Sequence, residues 1–133
     1  MRRNPCVDHG HPTLKRPVTG IEFECDLWAL GAQRCVTRYM FKGIHAGGAR
    51  ARRYAQVRFA SHGVIAEFDP AILWLPRAHR LGLIAHEIGH ALLGPGPHTE
   101  DQADAAAAAK FPLGRIVYDR RWPGKGLQKW VRV

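Results

Sequence analysis

Two histidines and a glutamate stand within five residues of one another, in the stretch His86-Glu87-Ile88-Gly89-His90. On a helix that turns about 100° per residue, residues four apart share a face, so both imidazoles would point the same way. Neutral imidazole nitrogens suit Zn²⁺, and a carboxylate one residue after the first ligand would reach a water at the metal rather than the metal itself. The stretch therefore predicts a zinc site in which Glu87 is the general base for a nucleophilic water.

The surrounding residues predict an amphipathic helix over residues 77–93. With His86 placed at zero, five apolar residues fall within about 80° of the opposite side, namely Leu81, Ile84, Ile88, Ala91 and Leu92. We expect one face to pack on a core while the other holds the metal. In the alternative interpretation, the polar residues are structural and bind no metal. A helix buried on one side is not expected to gather two histidines and a glutamate on the other without a partner for them.

A tetrahedral catalytic zinc site needs a third protein ligand beyond two histidines. The helix should end at Gly94, because Pro95-Gly96-Pro97 forbids its continuation. Thr99 then fits an N-cap, with Gln102 at the capping-box position three residues on, which predicts a second helix over residues 99–111. The chain is thus expected to turn back toward the metal.

Two residues after this turn could complete the ligand set. Glu100 lies in the first turn of the second helix, ten residues after His90, and a chain that extends about 3.5 Å per residue can return its carboxylate to the metal. His98 is the rival third ligand, since imidazole binds zinc equally well and this histidine lies in the same loop. Asp104, one turn beyond Glu100, could accept the second N–H of a ligand imidazole. A helix-borne Glu-x-x-x-Asp pair favours Glu100, because it supplies ligand and support together.

The segment Leu83–Leu93, followed by Glu100-Asp101-Gln102-Ala103-Asp104, resembles the gluzincin-type metallopeptidases, whose HExxH precedes a Glu-x-x-x-Asp motif on the next helix. Within that group it is most similar to the ImmA/IrrE-type peptidases, small regulatory proteases often carried by mobile elements and phages. The resemblance covers roughly residues 72–112. It implies zinc as cofactor, Glu87 as general base, Asp104 as the support of a ligand, and three zinc ligands: His86, His90 and Glu100.

The sequence departs from related patterns at several positions. The metzincin pattern HExxHxxGxxH fails, because Leu93 stands at its glycine position and Gly96 at its third-histidine position. The interval from His90 to Glu100 is short for the gluzincin group, and Lys110-Phe111-Pro112 replaces the Leu-Leu-x-Pro ending often seen there. A SprT-like site with a distant third histidine stays open.

The 133 residues predict one α+β domain of the zincin type, in which a small sheet with a β-hairpin packs against the active-site helix and the ligand-bearing helix. Residues 1–20, rich in Pro and Gly, predict an irregular arm. Residues 112–133 form a basic C-terminal tail with strands expected at 115–118 and 127–133. No apolar run approaches the roughly 20 residues of a membrane span, so we expect a cytoplasmic protein without membrane contact, in the host cytoplasm if phage-encoded.

Between the arm and the active-site helix, the pattern changes several times. Residues 25–41 have apolar positions at helical spacing, although Ile21-Phe23-Cys25 before them alternates like a strand. Residues 45–53 are a Gly-, Ala- and Arg-rich loop. A β-hairpin is predicted from Val57 to Phe68, with its turn at Ser61-His62-Gly63. Residues 71–75 predict a short buried strand after Asp69-Pro70.

Three cysteines, Cys6, Cys25 and Cys35, show no dense secreted framework, which is typical of a reducing compartment. Ordinary buried thiols are the simplest interpretation. Two alternatives stay open: a Cys25–Cys35 disulfide, and a structural zinc site that these cysteines build with His9 or His11.

Charge indicates a competing class of function. Twenty Lys and Arg against eleven Asp and Glu give a net charge of +9, and residues 34–58 hold seven basic residues and no acid. The tail adds Arg and Lys beside Trp122 and Trp130, a combination that can bind phosphates and stack on bases. The alternative function is therefore a basic nucleic-acid-binding module in which zinc is only structural. A solvated basic surface, or acidic protein substrates, would explain the charge equally well.

For the peptidase, the expected partner is a protein or peptide substrate that adds an extended strand to an exposed sheet edge, most readily at the hairpin. A donor to the transition-state oxyanion is also needed beyond the metal. Tyr118, His98 and His62 could each supply it, although each could equally be structural. The substrate, the cleaved bond and the oligomeric state have no signature in the sequence.

Overall fold

Three helices and a three-stranded mixed sheet form the part of the chain that the computed structural model describes, residues 14–44 and 54–110. This arrangement confirms the predicted α+β class. Two short 3₁₀ helices lie between the longer elements, at Ala32–Arg34 and Pro70–Trp74. The longer elements, in chain order, are α1 (Gly20–Ala29), β1 (Arg38–Phe41), β2 (Ala55–Ala60), β3 (Gly63–Phe68), α2 (Arg77–Leu93) and α3 (Glu100–Lys110).

The sheet has β3 in its centre, with β1 on one side and β2 on the other. β2 and β3 form the predicted antiparallel hairpin, in which Ala60 lies opposite Gly63 at the turn. Gly63 has a φ of 147°, a backbone conformation that favours glycine. β1 pairs with β3 in parallel, with Arg38 opposite Ile65. The hairpin is thus a local unit, while β1 joins it across the intervening chain.

One face of the sheet packs against helices and forms the core. Phe23 of α1 is fully buried and meets Phe68 of β3 edge-to-face, with ring centroids 5.0 Å apart. From α2, the side chains of Leu81, Ile84 and Ile88 join the same core, each at most 2% exposed. Burial of each such side chain contributes about 1.5–3 kcal/mol to the free energy of unfolding. The core therefore fixes α2 against the sheet on the side away from the two histidines.

The predicted helix over residues 25–41 is wrong at both ends. α1 begins earlier, because Thr19 and Glu22 form a capping box: the Thr19 N–H donates to Glu22 Oε1 over 3.0 Å, and the Glu22 N–H donates to Thr19 Oγ1 over 3.1 Å. It ends at Ala29, and the chain then turns at Gly31, whose φ is 70°. The last residues of the predicted helix instead form β1.

The strand-like alternation of Ile21, Phe23 and Cys25 does not correspond to a strand, because all three residues lie in α1. Phe23, Leu27 and Leu30 are the buried apolar residues of this region, at the four- and three-residue intervals of a helix. Ile21 and Cys25 lie on the exposed face. A short helix with apolar residues on both faces can show the same alternation of apolar residues as a strand. Here only one face of the helix is buried.

The predicted strand over residues 71–75 is wrong as well, since Pro70–Trp74 is a 3₁₀ helix. Asp69 starts it, because its Oδ1 accepts a hydrogen bond from the Ala71 N–H over 2.8 Å, and the fixed φ of Pro70 suits a first helical position. The predicted burial is confirmed for Ala71, Ile72 and Leu75. The described end of the arm lies beside this helix, where the Val18 N–H donates to the Leu73 carbonyl over 2.9 Å.

A buried ion pair ties α1 to α2. Asp26 is 4% exposed and Arg80 is 5% exposed, and Arg80 Nε donates to Asp26 Oδ2 over 2.8 Å. Arg80 Nη1 also donates to the Leu75 carbonyl over 2.7 Å. Arg77 reaches the other oxygen of Asp26 over 3.2 Å from a half-exposed position. The carboxylate and the buried guanidinium are thus paired and hydrogen-bonded, as buried charges must be.

Several predictions lie outside the described residues: the arm before residue 14, the loop 45–53, Cys6, and the tail 112–133 with its two strands. Cys25 and Cys35 are both free, so the alternative of a disulfide between them is wrong. The prediction of buried thiols is wrong for Cys25, which is exposed. Of the helices in the described ranges, none is both long enough and apolar enough to cross a membrane.

Candidate metal centre

α2 presents His86 and His90 on one face, as the four-residue spacing predicts. The side chain of His86 is 6% exposed and that of His90 is 17% exposed. Their rings are nearly perpendicular, with centroids 4.7 Å apart, and their Nε2 atoms lie 3.1 Å from each other. The helix spans residues 77–93 as predicted. Two ring nitrogens therefore converge on one point beside a helix whose opposite face is packed.

The apolar face of α2 is shorter than predicted. Leu92 was expected on the buried side, and it is 47% exposed, with Ala91 only half-buried. Leu93 is 42% exposed as well. The last turn of α2 thus extends beyond the core, and the predicted burial of Leu92 is wrong because the core ends before the helix does.

The loop after α2 turns the chain back, as predicted. Gly94 ends the helix with a φ of 83°, and its N–H donates to the His90 carbonyl over 3.2 Å. The capping box expected at the start of α3 is present: the Thr99 N–H donates to Gln102 Oε1 over 2.7 Å, and the Gln102 N–H donates to Thr99 Oγ1 over 3.1 Å. This box fixes the first turn of α3, which carries Glu100.

A close contact between helices brings α3 over the histidines. A Cβ placed on Gly89 would overlap the backbone carbonyl oxygen of Ala103 and would lie 2.9 Å from the carbonyl carbon. Ala103 is fully buried, and Ala107 is the other buried residue of α3. Small residues on both helices thus let the two backbones approach, and the distance across the site depends on them.

Three donor atoms meet in the gap between α2 and α3. His86 Nε2 lies 3.0 Å from Glu100 Oε2, and His90 Nε2 lies 3.3 Å from the same oxygen. With 3.1 Å between the two nitrogens, the atoms form a nearly equilateral triangle. Metal–ligand bonds of about 2.0–2.1 Å at tetrahedral angles would place ligand atoms roughly 3.3 Å apart. The three residues, which are the predicted ligand set, therefore form a group that could hold a metal ion.

Each histidine has a second partner on its other ring nitrogen. His86 Nδ1 donates to Asp104 Oδ1 over 2.6 Å. This is the contact that the Glu-x-x-x-Asp spacing predicts for Asp104. His90 Nδ1 and His98 Nε2 lie 2.8 Å apart, with ring centroids separated by 5.0 Å. His98 thus contacts the far side of the His90 ring, away from the three converging donor atoms.

The close contacts of the site shift the pKa values of its ionisable groups. Burial lowers the pKa of His86, but hydrogen bonds with Asp104 and Glu100 oppose it and raise that pKa from 6.5 to about 10. The hydrogen bond with His86 lowers the pKa of Glu100 from 4.5 to about 2. Burial and the nearby charge of His86 lower the pKa of His90. Without a metal, the two carboxylates thus favour a proton on His86.

Glu87 lies in the same turn and is 5% exposed. Its charge is close enough to His86 to help raise the pKa of that imidazole. The side chain does not belong to the three-residue donor group. A carboxylate beside the donors but outside their group fits the predicted role of proton acceptor, because a ligand carboxylate would be bound to the metal instead.

Other predicted candidates lie elsewhere or outside the described residues. His62 is exposed in the hairpin turn, and Tyr118 lies beyond residue 110. The contact of His98 with His90 and the interhelical role of Gly89 were not predicted. The only sequence signal for the His98 contact is the position of His98 just before the N-cap of α3. The only signal for the interhelical contact is that Gly89, between Ile88 and His90, is small.

Comparison of the chain with protein-family models, with curated proteins and with solved structures gave no match. The chemistry of the site follows from its own residues: two imidazoles and one carboxylate converge, and each imidazole has a further hydrogen-bond partner. A second carboxylate, from Glu87, lies next to them.

Proposed function

We propose that the protein is a zinc-dependent endopeptidase with a zincin-like fold, of the kind that the ImmA/IrrE-type peptidases represent. The observation that carries this proposal is the convergence of His86 Nε2, His90 Nε2 and one oxygen of Glu100 within 3.0–3.3 Å of one another. A structural zinc site is usually closed by four protein ligands, whereas a catalytic site has three and an open position. A three-residue group beside a buried Glu87 fits the catalytic type.

When bound, Zn²⁺ would polarise the substrate carbonyl and lower the pKa of a water molecule to about 7. In this proposal, Glu87 accepts a proton from the attacking water and then passes it to the leaving amine. Asp104 holds His86 in place by accepting a hydrogen bond from Nδ1 of its imidazole. The packing of Ile84 and Ile88 on the core keeps the helix, and with it Glu87, in a fixed position.

The proposed substrate is a protein segment in extended conformation. Within the described residues, β2 pairs only with β3, so its other edge has no strand partner there. β2 also contacts α2. An extended peptide paired with this edge would receive main-chain hydrogen bonds beside the active-site helix, while side-chain contacts would decide its sequence.

The first experiment determines the metal and the role of Glu87 together. Imidazole and carboxylate also bind Fe²⁺, Co²⁺ and Ni²⁺, so metal content is measured by elemental mass spectrometry on protein purified without added metal. We expect one zinc per chain in wild type and in Glu87→Gln. Cleavage of a proteome-derived peptide library should fall about 10²–10⁴-fold in Glu87→Gln, because a general base contributes that much.

Glu24→Gln is the matched control, a half-buried glutamate on α1 outside the site, and it should cleave like wild type. A folded wild-type chain that binds no metal, or a Glu87→Gln variant as active as wild type, would contradict the proposal.

Charge supports one competing proposal, a basic nucleic-acid-binding module with a structural zinc. Arg38 and Arg58 are both register partners of Ile65 and both exposed, so two cations flank the central strand on the face of the sheet opposite Phe23, where Arg58 Nε also pairs with Glu67 over 3.3 Å. In that case, Glu87→Gln would be silent. Neutralising Arg50, Arg52 and Arg53 would instead weaken binding to a duplex oligonucleotide and flatten its salt dependence.

A further inference from the structure

His98 is the one imidazole of the site that the proposed function leaves unused. Its Nε2 lies 2.8 Å from His90 Nδ1, and the two rings are tilted by 36° with centroids 5.0 Å apart. The residue is half-buried. His62 in the hairpin turn, by contrast, is exposed.

The hydrogen-bond chemistry of this contact has only one form that suits a metal ligand. An imidazole that offers the lone pair of Nε2 to a metal carries its proton on Nδ1, which must then donate. His98 Nε2 is the atom in reach, so it accepts, and His98 carries its own proton on Nδ1. With Nε2 of His90 as a metal ligand, the contact therefore fits only the tautomer of His90 that points a lone pair at Glu100 and His86.

The loop that carries His98 is constrained on both sides. Pro97 precedes it and has a fixed φ, and Pro95 lies two residues earlier. Thr99 follows it and is held by the capping box with Gln102. The backbone of His98 thus has little freedom, so its imidazole can orient the half-buried His90 ring at a low cost in conformational entropy.

We infer that His98 is a positioning residue for the metal centre, holding His90 in the ligand tautomer and ring orientation through the Nδ1–Nε2 hydrogen bond. This inference rests on the proposed metal function. It gives the two histidines different supports, since His86 is held by the carboxylate of Asp104 and His90 by the imidazole of His98. His98 acts through His90 and does not bind the metal itself.

The test compares metal affinity in four full-length variants, with zinc competing against a chromophoric chelator. His98→Ala should bind Zn²⁺ about 10–100-fold more weakly, the usual effect of removing such a support. His98→Gln should recover most of the affinity, because a glutamine oxygen reaches the position of Nε2. His98→Asn should not recover it, since its amide ends near the position of Nδ1. His62→Ala is the control and should bind like wild type.

Two spectroscopic readouts separate positioning from other roles. In the zinc-loaded wild type, the Nδ1 proton of His90 should give a slowly exchanging imidazole signal in proton NMR, and His98→Ala should lose it. The visible spectrum of the Co²⁺-loaded protein should keep the intensity of a tetrahedral site in His98→Ala, because the ligand set is unchanged.

The outcomes distinguish the two proposals. A wild-type chain that binds neither Zn²⁺ nor Co²⁺ would overturn the proposed function, and this inference with it. Normal metal binding in wild type with equal affinity in His98→Ala would overturn only the role of His98. A Co²⁺ spectrum in His98→Ala that shows a lost nitrogen ligand would also overturn it, because His98 would then be a ligand.

Discussion

The two histidines of the donor group differ in burial and in the residue that holds each one. His86 is nearly buried and hydrogen-bonded to two carboxylates, whereas His90 is more exposed and has an imidazole on its far side. In the metal-free protein, the proton of the site therefore belongs on His86. Burial lowers the pKa of His90, and charge repulsion from that proton lowers it further.

This proton predicts how the stability of the metal-free protein depends on pH. Folding raises the pKa of His86 from 6.5 to about 10, so the folded state holds the proton more tightly than the unfolded chain. The stabilisation is complete below pH 6.5 and is lost as pH rises toward about 10. We expect the urea midpoint of EDTA-treated protein to fall across this range, as measured by circular dichroism.

His86→Gln is the control for this measurement, since it lacks the proton and should show a flatter profile over the same range. Zinc-loaded protein should behave in the opposite way, because metal binding requires neutral His86 and strengthens as the proton is lost. A metal-free wild-type profile identical to that of His86→Gln would contradict the assignment of the proton.

The third donor is tested by two neighbouring acidic residues at the start of α3. Glu100→Gln should lower zinc affinity by at least about 10-fold, because an amide oxygen replaces a charged ligand. Asp101→Asn removes the same charge from the adjacent exposed residue and should change zinc affinity little. Isothermal titration with Zn²⁺ measures both. Equal losses in the two variants would assign the effect to overall charge rather than to a ligand.

At this scale, the sequence predicted much of the site. Spacing alone placed His86 and His90 on one face, and the Glu-x-x-x-Asp pair placed Glu100 and Asp104 one turn apart. The contact of His98 was not predictable, because the seven residues between it and His90 include a non-helical turn. Sequence separation limits the reach of such a loop but does not fix its direction.

At the scale of the elements, the distance between α2 and α3 determines how far apart the donor residues of the two helices lie. Gly89→Ala should push α3 away, because the new Cβ overlaps the Ala103 carbonyl and backbone cannot yield as a flexible side chain can. We expect a loss of about 1–3 kcal/mol in the free energy of unfolding, with weakened zinc binding. Chemical denaturation and zinc titration of the same samples measure the two effects.

Gly20→Ala is the matched control for this change, since nothing lies within 4 Å of a Cβ at the start of α1. It should leave both stability and zinc affinity near wild type. If Gly89→Ala behaved in the same way, the close contact would not set the geometry of the site.

The ion pairs between α1 and α2 offer a second test, because two arginines share one carboxylate. Arg80→Ala should cost about 3–5 kcal/mol of the free energy of unfolding, since it leaves buried Asp26 without its closest cation. Arg77 is 54% exposed and 3.2 Å from the same residue, so Arg77→Ala should cost at most about 1 kcal/mol. Urea denaturation measures both, and similar losses would argue against burial as the deciding factor.

Prediction of elements succeeded where local signals agreed. α2, α3 and the hairpin have clear periodicity, caps or turn residues, and each is confirmed within a residue or two. The prediction was wrong at α1 and β1, because the capping box of Thr19 and Glu22 starts the helix before the apolar spacing does and apolar residues occur on both faces. The structure of that region depends on the burial of Phe23 against Phe68, and these two residues are distant in the sequence.

On the scale of the whole molecule, the positive net charge is not distributed evenly. The chain carries +9, yet four of its eleven acidic residues lie on α2 and α3, namely Glu87, Glu100, Asp101 and Asp104. The same helices carry three basic residues, Arg77, Arg80 and Lys110, so their formal charge is −1 with His neutral, which is more negative than the overall charge suggests. A divalent cation is attracted to this part of the protein, while the exposed Arg38 and Arg58 lie on the sheet.

The strand order β1-β3-β2 has a consequence for folding kinetics. The hairpin of β2 and β3 and the pair formed by α2 and α3 are both made of contacts between chain neighbours, which close rapidly. The parallel pairing of β1 with β3 must wait for a long loop to close, because β2 lies between them in the chain. All three donor residues belong to the local helical pair, so we expect them to meet before the slowest step, and metal present during synthesis could bind before the sheet is complete.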